Sequence, residues 1–189
     1  IAIGIDIPIG LPDRGPRNCD LLARKLLAPH RTSSVFPAPI RPVLGARDYR
    51  EACDRRQSID GKRMSVPAFH ILPKIAQVDA YLRETRDAKL FEAHPELAFA
   101  GLNGSEASRP PKRGTPGFRA RYNLLAPIVG SEHLDEALGA YLRKDVARDD
   151  VLDAFAVLLT ARRILLGTAR RVPTEPVPDS AGLDMAIWY

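Results

Sequence analysis

The chain opens on a nearly unbroken apolar run, Ile1-Ala2-Ile3-Gly4-Ile5-Asp6-Ile7, rich in β-branched residues. That pattern predicts a strand buried on both faces, as in the middle of a sheet. Asp6 interrupts it near its end. Pro8, Gly10 and Pro12 then stop it, because neither residue type sustains a ladder. The chain is thus expected to leave the sheet directly after a carboxylate.

Further along, apolar spacing predicts helices. One is expected over 17–27, with Leu21, Leu22, Leu26 and Leu27 on one face and Asn18 as N-cap, and another over 46–56. Residues 34–39 read as an extended, proline-fixed segment, since a residue before proline is pushed out of the α region. After a loop over 61–67, a helix is expected over 71–84, with Ile71, Ile75, Val78 and Leu82 on one side and Pro73 in its first turn. A short strand over 88–93 ends at His94-Pro95-Glu96 and gives way to a short helix through Phe99. Between 102 and 117 Gly, Ser, Pro, Lys and Arg displace apolar residues, predicting a basic loop. Helices over 118–128, 131–143 and 149–166, a proline-rich connector and a closing strand over 185–189 complete the pattern, which has no internal repeat.

Composition narrows this picture only a little. The 189 residues, 45% hydrophobic and 27% charged, suit a single domain spanning 1–189 with a substantial core. A net charge of +5 favours polyanionic partners such as DNA or RNA. Cys19 and Cys53 sit in predicted helices without a neighbouring Cys or His at metal-ligand spacing, so both are expected to be buried thiols. No apolar run is long enough for a membrane span and no secretory segment is evident, which makes the cytoplasm the expected setting.

The chemistry concentrates in carboxylates. Asp149, Asp150 and Asp153 crowd the first turn and a half of the last long helix, where the macrodipole favours negative charge. Asp150 and Asp153 share a face, and Asp149 fits the N-cap position. Ala154, Ala156 and Leu158 suggest that this helix is buried, which would oblige Asp153 to find a partner or a metal. Asp6 is expected to be buried as well, at the strand end where α/β sheets place ligands. Several acids in one cleft repel one another unless a hard cation such as Mg²⁺ or Mn²⁺ joins them. A pair of such ions would suit hydrolysis of a phosphodiester bond. Glu96 is a further candidate ligand or base, although Pro and Glu are also ordinary residues for a helix start. Lys112, Arg113, Arg119 and Arg121 are candidate phosphate contacts. Walker, dinucleotide-glycine, nucleophile-elbow and CxxC signatures are absent, and the four histidines are scattered.

The blocks Ile5-Asp6-Ile7-Pro8-Ile9-Gly10-Leu11-Pro12, Ser34-Val35-Phe36-Pro37-Ala38-Pro39, Pro73-Lys74-Ile75 with Val78-Asp79, His94-Pro95-Glu96 and Asp149 through Ala154 follow one another in order. Together they resemble the predicted RNase H-like nuclease family (domain of unknown function 429). The resemblance implies an α/β, ribonuclease-H-like mixed sheet flanked by helices. It also implies a metal-dependent nuclease in which Asp6, Asp150 and Asp153 bind metal and Glu96 joins them in catalysis. Asp150-x-x-Asp153-Ala154 is similar to the helix motif of Holliday-junction resolvases of the RuvC type. In that fold a three-strand hairpin with an essential Asp comes first. This chain starts at what would be the fourth strand, so the domain is expected to be N-terminally incomplete. Two other readings remain open: a non-catalytic nucleic-acid or protein binding module, and another phosphoryl-transfer enzyme of the same superfamily.

Overall fold

The structure, a computed structural model, describes residues 1–107 and 114–189. It is mixed α/β with a small sheet. Strand β1 (Ile3–Ile5) pairs in parallel with β2 (Leu90–Glu92), Ile3 facing Leu90 and Ile5 facing Glu92. Strands β3 (Arg171–Val172) and β4 (Ile187–Trp188) form a second, antiparallel pair, and an isolated parallel bridge joins Ala93, just after β2, to Trp188. Among the described residues the strands therefore make two two-stranded sheets, β1–β2 and β3–β4, that touch at this bridge.

Helices supply most of the remainder: α1 (Asn18–Leu26), α2 (Tyr49–Asp60), α3 (Val66–Thr85), α4 (Pro95–Leu102), α5 (Thr115–Val129), α6 (Ser131–Gly139) and α7 (Arg148–Leu165). Helix α7 packs against β1, α4 and α5, while α1 lies against β3 and β4. One apolar cluster joins Cys19 and Ala23 of α1, and Leu27 just after it, to Leu97 of α4 and Ile187 of β4. A second gathers Phe99, Leu125, Leu134, Leu152 and Ala156 from α4 through α7. A third, around Cys53, Met64 and Leu72, seats α2 on α3. Both cysteines are buried thiols, as their sequence setting suggested. Among the described residues no helix is long and apolar enough to cross a membrane.

Local chemistry fixes several boundaries differently from the sequence pattern. Strand β1 is shorter than the 1–7 run, and among the described residues it pairs with β2 alone. Its ladder ends where Ala93 N–H donates to Ile5 O (2.9 Å), and Ile1 and Ile3 are 87% and 48% exposed. Apolar character alone did not tell how much of this run is covered. Helix α3 begins several residues earlier than expected because Ser65 caps it, accepting from Ala68 N–H, and Pro67 suits its first turn. Pro73 consequently lies inside the helix. In α1 the N-cap is Arg17, not Asn18, and in α7 it is Ala147, not Asp149. Helix α2 is closed at both ends by the chemistry expected of a helix: Asp48 accepts from Glu51 N–H at 2.8 Å, and Gly61 ends it in the left-handed region at φ 67°.

Helix α7 is not buried all round. Ala154 and Leu158 face outward, Leu158 being 58% exposed, while Leu152, Ala156 and Leu159 face in. The close approach of β1 to this helix depends on Gly4. A Cβ there would stand 2.6 Å from Val157 Cγ1 and 3.0 Å from the Val157 carbonyl oxygen.

Candidate functional site

Two cavities meet along the contact of β1, α4 and α7. The larger, about 570 Å³, is walled by five prolines (Pro8, Pro37, Pro39, Pro67, Pro95) and by Ile71 and Ile75 of α3, with Phe36 among its lining residues. The smaller, about 540 Å³, runs beside Ala2 to Asp6 and the outer face of α7 from Asp150 to Ala161. Asp6, Pro95 and Asp153 line both. They form a ridge between a proline-walled chamber and a groove along the sheet edge.

The strand and the helix bring Asp6 and Asp153 to this ridge, which was expected. Asp6 sits in the bend just after β1, and it is exposed rather than buried as its apolar neighbours had suggested. Asp153 is half-buried one turn into α7, and Asp150 is exposed and lines only the groove. Asp149 is half-buried in the first turn. Among the described residues no group of three or more His, Cys, Asp and Glu side chains stands together as a metal cage. What the ridge offers is two oxygen donors of the kind Mg²⁺ accepts, an ion that commonly takes one or two carboxylates and completes its shell with water and phosphate oxygens.

Glu96 lines the chamber but is committed elsewhere. Its Oε1 accepts a hydrogen bond from Arg121 Nη2, and its Oε2 lies 3.9 Å from Arg31 Nε. Arg121 is correspondingly interior and not a surface phosphate contact. It is 0% exposed, its Nη1 donates to Gly117 O at 3.3 Å, and its guanidinium lies 5.3 Å from the centre of the Phe99 ring. Gly117, Arg121 and Leu125 are the buried residues of α5, one helical stripe, and so Arg121 points inward. Arg119 is exposed on the same helix, whereas Lys112 and Arg113 lie outside the described residues. His94 caps α4: its Nδ1 accepts from Glu96 N–H (3.2 Å) and its Nε2 meets Ser34 O at 3.2 Å, tying the chamber wall to α4.

Beneath the chamber lies a buried charge network that the sequence pattern did not single out. Arg17 donates from Nη1 and Nη2 to the Glu92 carboxylate (2.7 and 2.8 Å) and from Nε and Nη2 to Asp20 (3.2 and 2.5 Å). Glu92 also accepts from Ile9 N–H at 2.7 Å, and Asp20 from Ala38 N–H at 2.9 Å. Burial alone would lower the Arg17 pKa, but the Glu92 and Asp20 carboxylates outweigh it and hold the guanidinium charged. For Glu92, burial pushes the carboxyl above its usual range while Arg17 pulls it back. A carboxylate inside the predicted strand over 88–93 was the available signal, the same one that drew attention to Asp6.

A second network closes the N-terminal turn. Asp179 accepts from Leu11, Ala181 and Leu183 N–H (2.7, 2.8 and 2.9 Å) and from Arg41, which also donates to Asp79 at 3.0 Å. Gly10, at φ 72°, lets the chain turn against this segment, where a Cβ would stand 2.8 Å from Leu183 O.

The family described as protein of unknown function (DUF429) matches residues 1–177, and the chain belongs to it. No curated protein and no solved structure matches the chain.

Proposed function

We propose that this DUF429 chain is a metal-dependent nuclease built on a ribonuclease-H-like arrangement, with Asp6 and Asp153 holding a Mg²⁺ or Mn²⁺ ion against a phosphodiester. The observation that carries the reading is the ridge: a carboxylate from a strand end and one from a helix line the same two cavities. Their all-oxygen donor set suits a hard cation, and the basic chain suits a polyanion.

The bound cation would supply Lewis acidity toward a phosphoryl oxygen and lower the pKa of a coordinated water. Asp6, exposed at the open side, can orient the attacking water. Asp153, held by α7, fixes the position of the ion. Hydrolysis then forms a bond from the water oxygen to phosphorus and breaks one phosphorus–ester oxygen bond, the leaving oxygen taking up a proton. Asp150, exposed along the groove three residues before Asp153, would be a further oxygen donor for the cation. Glu96 serves the site through its ion pair with Arg121, which secures the start of α4 and with it Pro95.

The test is incubation of the full chain with labelled DNA and RNA in Mg²⁺ or Mn²⁺. Cleavage is expected, and Asp6→Asn and Asp153→Asn should each reduce it to background. Wild-type protein that cleaves neither substrate, or cleavage unchanged in both variants, would overturn the reading.

One observation favours a second reading, a non-catalytic nucleic-acid binding module: among the described residues the acids do not form a three-ligand cage. That reading predicts salt-dependent binding without turnover.

A further inference from the structure

The chamber beside the acid ridge has features that a phosphodiester backbone alone does not need. Its walls are apolar and stiff, because proline rings and the branched side chains of α3 line them. Its floor is polar, being made by the Arg17, Asp20 and Glu92 network. Phe36, on the extended segment between Val35 and Pro39, is 68% exposed although it lines the chamber. An aromatic ring left this exposed gains nothing from the core, and Val35 beside it is fully packed.

We infer that the chamber receives one unpaired nucleobase of the substrate strand, stacked on Phe36, while the sugar–phosphate crosses the Asp6–Asp153 ridge and continues along the groove beside β1. The inference rests on the nuclease reading for its ligand class, and it adds which form of nucleic acid the site takes. A base is flat and apolar on its faces and polar at its edge, matching apolar walls over a polar floor. The volume, about 570 Å³, falls in the usual range for a small-molecule site and admits a nucleoside. A base inside a duplex cannot reach such a chamber without unstacking and unpairing, which costs a few kcal/mol. Single strands, ends or unpaired nucleotides are therefore the substrate form.

The experiment is binding without turnover, in EDTA, of the full chain to a short single-stranded oligonucleotide carrying 2-aminopurine at one position. The expected results are quenching of the 2-aminopurine emission, preference for the single strand over its fully paired duplex, and weaker binding when that nucleotide is replaced by an abasic one. Phe36→Ala should weaken single-strand binding by at least about five-fold, the lower end of what losing one stacked base costs. Phe36→Trp should retain it, and because Phe36 is exposed, circular dichroism is expected to show both variants folded. Equal affinity for single strand and duplex, or Phe36→Ala binding like wild type, would overturn the inference. Those outcomes are separable from the nuclease reading: loss of the Phe36 effect with Asp6-dependent cleavage intact removes only the base chamber. Phe36-dependent binding without cleavage removes only the hydrolysis.

Discussion

Arg119 and Arg121 stand on the same helix in opposite environments, and charge alone does not tell them apart. Arg119 is exposed, while Arg121 is sealed against Glu96 and Phe99. Removing Arg121 leaves Glu96 buried with, among the described residues, Arg31 Nε 3.9 Å away as its remaining ion-pair partner. Breaking a buried pair from one side costs about 3–5 kcal/mol, so Arg121→Ala should shift the urea midpoint sharply downward. Arg119→Ala should change stability by less than about 0.5 kcal/mol, leaving the same urea midpoint nearly where it was. The signal that separates the two was present in the α5 sequence: Arg121 lies four residues before Leu125, at a core position of the helical period. Asp6 teaches the converse. Its position at a strand end was legible, but its burial was inferred from apolar neighbours, and two of those, Ile1 and Ile3, themselves meet solvent.

Elements were more legible than their limits. All the predicted helices exist, because spacing of Leu, Ile and Val at the helical period survives errors at either end. Boundaries moved where a cap decided them, as Ser65 does for α3, and the two-residue strand β3 carried too little pattern to be seen. Pairings such as Arg17 with Glu92, 75 residues apart, leave no local trace at all. At this scale the site depends on how closely β1 approaches α7. In Gly4→Ala the added methyl group would meet both a side chain and a backbone carbonyl, and only the side chain can turn away. The strand must then lift from the helix, at a cost of about 1–3 kcal/mol. Thermal melts should show that loss, and any cleavage activity should fall further than stability does, because Asp6 moves with the strand.

Across the whole molecule, the chain closes on itself through Asp179. Burial pushes the Asp179 carboxyl upward, but bonds from Leu11, Leu183, Arg41 and Ala181 outweigh it and hold the pKa below its ordinary value. A carboxyl with a lowered folded pKa contributes stability that is fully present above its unfolded value, near 3.9. That contribution is lost as pH falls through the lower folded value. Asp179→Asn should therefore destabilise the protein at neutral pH and flatten the stability loss seen in acid titrations below about pH 4. An unchanged acid limb would show that Asp179 has no such linkage.

The closing strand lies beyond the family match yet inside the fold. The family match ends at residue 177, but Asp179, Leu183 and Ile187 lie beyond it, and Ile187 sits in the same apolar cluster as Cys19 and Leu97. The stretch of chain recognisable as kin is thus shorter than the stretch that folds. Its last dozen residues are the fastening, and anyone trimming the protein to its recognisable part would be cutting through the keystone.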